Sequence, residues 1–221
     1  MNVLVVSTHP DDEALGCAGT MLKHRAQGDA VRWCIATAAW TPRWSAEQVA
    51  AKAREVEQAA THYGITEVFR PGLPSTELDA MALNKVVDAL APAFAAQTDV
   101  VYLTNPHDTH TDHRVVFEAC WTLMKPFRTA THGPRRILVY ETLSSTDAAP
   151  PLAGRAFVPT AWSDITSWID QKAAAMKIYA TEQQGEMQPR SESAILALAR
   201  LRGAQVGVKY AEAFQVLREF A

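Results

Sequence analysis

Cysteine is scarce in this 221-residue chain. The three present, Cys17, Cys34 and Cys120, are widely spaced and odd in number. That speaks against a disulfide framework or a CxxC metal knuckle and leaves thiols with a packing role. No apolar run approaches the roughly 20 residues that span a bilayer, so no membrane partner is expected. Neither sign of charge is in excess: 21 Lys and Arg against 24 Asp and Glu leave a formal net charge of -3. Without a basic surplus or a long run of like charge, no nucleic-acid partner is expected. A GxGxxG dinucleotide fingerprint is missing, and so are internal repeats. The N-terminal stretch MNVLVVSTHPDDE has neither the basic start nor the apolar length of a secretory leader, which points to the cytoplasm.

What the chain does have is ample apolar material, 48% of its residues, enough to offset chain entropy. Its length predicts one domain, residues 1–221. Short apolar runs at 3–6, 31–37, 67–70, 100–103 and 137–142 read as strands. Helical stretches at 13–27, 45–63, 80–97 and 112–124 alternate with them. Ser45 suits an N-cap and Gly64 a helix end, and Pro92 should shorten the helix that contains it. Residues 144–159 read as a loop, and 164–184 and 191–201 as helices. Alternating strands and helices predict an α/β fold with a mostly parallel sheet and helices on both faces. Such sheets bind ligands beyond the carboxyl ends of their strands. The two most unusual polar clusters stand at two such ends.

The first cluster is Thr8-His9-Pro10-Asp11-Asp12-Glu13, after the first strand. An imidazole and carboxylates on one tight turn suit a first-row divalent ion. Adjacent carboxylates repel unless a cation or proton intervenes. Their bland alternative is an acidic helix start, favoured by the helix dipole. The second cluster, Asn105 to His113, places His113 on the first turn of a helix, with Asp112 and His110 beside it. A metal could take His9, Asp12 and His113 and keep a position open for water. Asp11 would then be free to accept a proton. His107 could be a further ligand but reads better as a loop histidine. His24, His62 and His132 read as surface or structural.

The sequence resembles the LmbE-like (PIG-L) family of zinc-dependent N-deacetylases through His9-Pro10-Asp11-Asp12-Glu13 and His110-Thr111-Asp112-His113. The run Leu15 to Thr20, Arg54 to Glu57, and the closing segment Arg202 to Phe214 are similar as well. The resemblance implies a Rossmann-like three-layer sandwich. It implies Zn²⁺ as cofactor, other divalent first-row metals being possible, on His9, Asp12 and His113. It casts Asp11 as general base, His110 as oxyanion stabiliser in imidazolium form, and Asp112 as the group that orients or charge-stabilises His110. It implies a small-molecule N-acylated substrate, such as a sugar conjugate, and a possible homo-oligomer.

The substrate wall departs from relatives. Trp40 and Trp44 lie where many relatives have a glycine-containing turn, and either could stack on a substrate or merely pack a lid. Ser75 stands where sugar deacetylases often carry an Asp. Arg54 could bind a polar substrate group or be a solvated surface residue. Gly16 and Gly19 suit close helix–sheet approach. Tyr210 and Glu212 could close the site or only make a helix contact. Competing functions are a metal-dependent hydrolase of another bond, such as a phosphoester, and a non-catalytic binding protein on the same fold. No second acidic cluster supports a two-metal phosphoesterase.

Overall fold

In the computed structural model the described residues are 1–126 and 133–220; His132 falls outside them. Strand β1 (Asn2–Ser7) pairs in parallel with β2 (Ala30–Ile35) on one side and β6 (Val100–Thr104) on the other. Beyond β2 lies the two-residue edge strand β4 (Val68–Phe69), and beyond β6 lies β7 (Arg136–Tyr140), both parallel to their neighbours. β9 (Ala211–Glu219) then runs antiparallel to β7, and β8 (Ala161–Asp164) antiparallel to β9. The seven-stranded order is β4-β2-β1-β6-β7-β9-β8. A separate small ladder joins β3 (Thr37–Ala38) to β5 (Leu73–Pro74).

Side chains along a strand alternate between faces, and here each face has its own core. Val3, Val5, Tyr102, Leu138 and Tyr140 point into one cluster, which α1 (Asp12–Gly16), α2 (Ala18–Ala26), α3 (Ala46–Tyr63) and α6 (Ile169–Ile178) cover. Leu4, Val6, Val101, Leu103, Ile137 and Val139 point into the other, under α4 (Leu83–Leu90) and α5 (Thr111–Leu123). The result is a three-layer α/β sandwich. Helix α7 (Glu192–Ala204) reaches the first core through Ile195 and packs Ala199 against Ile165 and Ile169. All three cysteines are buried. His24 is buried against Asp29 and Tyr102, whereas His62 is half-buried on α3 beside the Gln171 carbonyl.

Helix α3 begins and ends as its sequence predicts. Ser45 and Gln48 form a reciprocal capping box, and Gly64 ends the helix at φ 65°. Helix α4 gives way to a 3₁₀ turn at Ala91–Phe94, where Pro92 removes a donor. Two readings need correction. The helix expected over 13–27 is broken at Cys17, and the C-terminal region adds two antiparallel strands to the sheet.

The break at Cys17 is held by a buried ion pair. Lys172 Nζ donates to Ala14 O and Leu15 O, which are orphan carbonyls at the end of α1, and to Glu212 Oε1 at 2.7 Å. Glu212 accepts from the backbone N–H groups of Gly19 and Thr20, at the start of α2, and from the Thr20 hydroxyl. Each charge thus meets the helix end whose dipole it complements. This makes Glu212 a helix contact and not a wall of the site. Gly16 and Gly19 allow the close packing beside it: a Cβ at Gly16 would stand 2.1 Å from the Tyr140 ring, and one at Gly19 2.8 Å from Ile165. Lys172→Met leaves Glu212 buried without its counter-ion, and a urea titration should show a loss of about 3–5 kcal/mol of unfolding free energy.

Candidate functional site

The two polar clusters meet because β1 and β6 are adjacent and parallel, so the loops that follow them leave the sheet at the same end. The chain passes from β1 to β2 on one side and later returns to β6 on the other, which makes this a topological switch point. Thr8 and Thr104 hydroxyls share a hydrogen bond of 2.9 Å across the two strand ends.

His9 and His113 are each turned by a carboxylate behind the ring. His113, buried on the first turn of α5, donates from Nδ1 to Asp108 Oδ2 at 2.7 Å. Asp108 is itself held by Asn105 Nδ2 and the Thr146 hydroxyl. His9 donates from Nε2 to Asp112 Oδ2 at 3.0 Å, and Asp112 accepts from the backbone N–H groups of Thr76 and Leu78. Ionised carboxylates only accept hydrogen bonds, so in the neutral rings the remaining nitrogens, His9 Nδ1 and His113 Nε2, would carry lone pairs. They face each other at 3.3 Å. Asp12 completes the group, with Oδ1 3.4 Å from His113 Nε2 and Oδ2 3.7 Å from His9 Nδ1.

Two lone pairs and a carboxylate converging in a buried place need a positive charge between them. Proton affinities express the same demand. Burial opposes charge on His113, yet Asp12 and Asp108 hold its pKa up at about 10. Burial likewise opposes charge on Asp12, yet His113 and His9 hold it well below the usual carboxylate range. One ligand atom from each of His9, Asp12 and His113 lies within 4.8 Å of the others. This donor set, with each imidazole oriented from behind, fits a first-row divalent ion. A second grouping of His9, His110 and Asp112 is equally compact, but its Asp112 oxygens are already committed to two backbone N–H groups and to His9.

Asp11 lies beside this group, buried, with its backbone at φ 106°. It stands at the N-cap of α1, with Asp12 and Glu13 in the first turn as an acidic helix start requires, yet its side chain makes no cap. Its Oδ2 instead accepts from Arg190 Nη1 at 2.8 Å. Burial pushes its pKa up to about 8, against the pull of Arg190 and with the repulsion of Asp12. Its neighbour Glu13 is a buried hub for Ser7, Tyr63 and Tyr179 hydroxyls and belongs to the core of the loop.

Two implied roles shift. Asp112 bonds to His9, so the ring it orients is His9, while its charge, 3.9 Å from His110 Nδ1, still favours protonation of His110. His110 Nδ1 accepts from the Asp112 backbone N–H at 3.2 Å, which leaves the proton of a neutral ring on Nε2. Burial, followed by repulsion from His9 and His113, lowers its pKa to about 4. The geometry therefore favours a neutral donor over an imidazolium.

A cavity of about 170 Å³ opens onto the group. His9, Asp11, Asp12, His110 and His113 line it, together with Trp44, Ser75 and Thr76. Pro10, Ala39 and Ser145 also line it, and so do three charged residues that local sequence did not single out, Lys52, Glu182 and Arg190. Trp40 is not among the lining residues; its indole N–H ties the loop to Ser75 O. Arg54 is also displaced. It is exposed on α3, where helical spacing turns Lys52 toward the cavity and Glu55 into a buried contact with Thr181. His107 is an exposed loop residue. Asp108 and Asn105 stand inside the second cluster, yet spacing alone gave them no role.

A Rossmann-like α/β sandwich with a His–Asp–His group at its switch point defines a class of proteins with a metal-competent site. Within that class, the model of the PIG-L family, described as GlcNAc-PI de-N-acetylase, matches residues 4–124, and the chain belongs to this family. No curated protein matches the chain significantly in sequence. Several solved structures share the fold. The conserved protein TT1542 from Thermus thermophilus is 24% identical, with a TM-score of 0.76, over 99% of this chain and 96% of that one. The N,N'-diacetylchitobiose deacetylase from Pyrococcus horikoshii is 20% identical, with a TM-score of 0.73, over 98% and 83%. GalB, the 4-carboxy-2-hydroxymuconate hydratase of Pseudomonas putida KT2440, is 19% identical, with a TM-score of 0.74, over 100% and 97%.

Removal of the carboxylate behind His113 tests the orientation argument. Asp108→Asn should weaken the binding of an added divalent metal ion by about 10–100-fold in calorimetric titration while the fold persists. Unchanged affinity would mean that Asp108 does not tune the site.

Proposed function

We propose that the chain is a zinc-dependent N-deacetylase that removes an acetyl or related acyl group from the amine of a small sugar conjugate or related metabolite in the cytoplasm. The observation that carries this reading is the pair of facing imidazole nitrogens beside Asp12, with Asp11 and His110 on the same cavity. Family membership supports it, and the deacetylase among the structural neighbours agrees with it. The whole chain, residues 1–221, is taken as one domain, because β7 to β9 extend the sheet that carries the site.

His9, Asp12 and His113 would hold the ion. When bound, zinc supplies Lewis-acid polarisation of the acyl carbonyl and brings the pKa of water from 15.7 to about 7. In its ionised form, which the Arg190 guanidinium favours against burial, Asp11 takes the proton of the attacking water as its oxygen adds to the acyl carbon. His110 donates from Nε2 to the carbonyl oxygen as negative charge grows there. Collapse breaks the C–N bond, and Asp11 returns the proton to the amine nitrogen, which otherwise leaves poorly. Acetate and a free amine are the products. Asp112 and Asp108 act from behind by keeping His9 and His113 turned inward. Trp44 offers an apolar face to the substrate body; Trp40 braces that wall.

A screen of N-acetylated metabolites for amine release, with zinc added, tests the reaction. Asp11→Asn should retain zinc and lose about 10²–10⁴-fold in turnover, and His113→Ala should lose both zinc and turnover. EDTA should abolish activity and zinc restore it. Near-wild-type rates in Asp11→Asn would remove the base assignment. Phosphate release, or hydration of a double bond without amine release, would replace deacetylation with another reaction at the same centre.

A further inference from the structure

Three non-glycine residues among those described have a left-handed backbone: Asp11 at φ 106°, Thr76 at φ 71° and Ser144 at φ 72°. Such conformations are uncommon for residues with a side chain and gather at functional sites. All three meet here. Asp11 and Thr76 line the cavity, and Ser144 touches Arg190, which lines it too. Glycine would relieve the backbone at Asp11 and Ser144 but would remove the side chains that Arg190 contacts.

Arg190 lies in the connection between α6 and α7, outside the segment that matches the family model. Its guanidinium is fixed by three hydrogen bonds. Nη1 donates to Asp11 Oδ2 and to Glu182 Oε2, each at 2.8 Å, and Nε donates to Ser144 Oγ at 3.0 Å. Glu182 is anchored from its other oxygen by Lys52 on α3. A chain of alternating charge, Lys52–Glu182–Arg190–Asp11, therefore runs along one wall of the cavity. It ends on one oxygen of Asp11 only. Asp11 Oδ1 makes no hydrogen bond with any described residue, so it is the oxygen left to take a proton.

We infer that Arg190 is the positioning residue for Asp11: its guanidinium engages Oδ2 and aims the free Oδ1 into the cavity. The inference rests on the proposed role of Asp11 as proton acceptor. The planar fork matters, because one rigid group must satisfy Asp11, Glu182 and Ser144 together; a lysine, as a point charge on a flexible stem, holds direction less well. Arg190 bonds to none of His9, Asp12 or His113, so its loss should spare the ion.

The test compares wild type, Arg190→Ala and Arg190→Lys for amine release, zinc content and structure. In Arg190→Ala, kcat should fall about 10²-fold, the scale of a 1 Å misplacement. KM should stay within about threefold, because the lost interaction acts on the reacting group and not on substrate binding. Zinc content should match wild type, added guanidinium should restore part of kcat, and Arg190→Lys should be intermediate. Glu182→Ala, which keeps the guanidinium but removes its anchor, should lose about tenfold in kcat through looser alignment, and it serves if Arg190→Ala fails to fold. A kcat within twofold of wild type overturns the inference, as does a loss that tracks zinc and is not recovered by guanidinium. A crystal structure of the variant reads the same point without any assay. The Asp11 carboxylate should rotate away from its wild-type direction, and an unmoved carboxylate overturns the inference. If wild type releases no amine, the deacetylase reading fails while the crystallographic comparison still decides the role of Arg190.

Discussion

With their outward N–H groups given to carboxylates, His9 Nδ1 and His113 Nε2 stand 3.3 Å apart, and as neutral rings they would set lone pair against lone pair. The arrangement is stable only with a positive charge between them, and the structure supplies the counterpart in Asp12. Asp108 and Asp112 make this facing pair possible, because each takes the outward N–H of one ring. Those carboxylates are in turn fixed by the loop after β6, by Thr146, and by the backbone of Thr76 and Leu78. The geometry of the centre is therefore a property of several loops at one end of a sheet, not of the two motifs alone.

That end of the sheet is costly to build. The segment from Asp11 to Gly16 is wholly buried and contains three carboxylates in a row. The three have separate environments. Asp12 faces the histidines, Asp11 faces Arg190, and Glu13 accepts three hydroxyl donors in the core. Separated proton affinities follow: Asp12 is held low, while burial raises Asp11 to about 8 and Glu13 to about 7. The Lys172–Glu212 pair stabilises the same region from below by serving the ends of α1 and α2. A rigid base for the loop is what lets a strained Asp11 keep its direction.

The parallel half of the fold was legible because its signals are local. Continuous apolar runs mark β1, β2, β6 and β7, and Ser45 and Gly64 mark the ends of α3. The antiparallel strands β8 and β9 were not, since their pairing partners are set by tertiary neighbours and their sequences mix polar and apolar residues. The break at Cys17 was equally hidden, because its cause is a lysine and a glutamate more than 150 residues away in the chain. At the site, the residues of the two motifs could be named from spacing. The direction of Asp112 toward His9, the proton on His110 Nε2, and the wall of Lys52, Glu182 and Arg190 could not, because they depend on how α3, α6 and the following connection fold over the cavity. Arg54 shows the limit of such reading: it carries the right chemistry, two residues from the position that faces inward.

The central claim concerns one cation and three named ligands. Anomalous diffraction at the zinc absorption edge, on crystals grown with zinc, tests it most directly. The account predicts a single strong peak bounded by His9 Nδ1, a carboxylate oxygen of Asp12 and His113 Nε2, at about 2.0–2.2 Å from each. A peak located elsewhere, or none between the two rings, would contradict it.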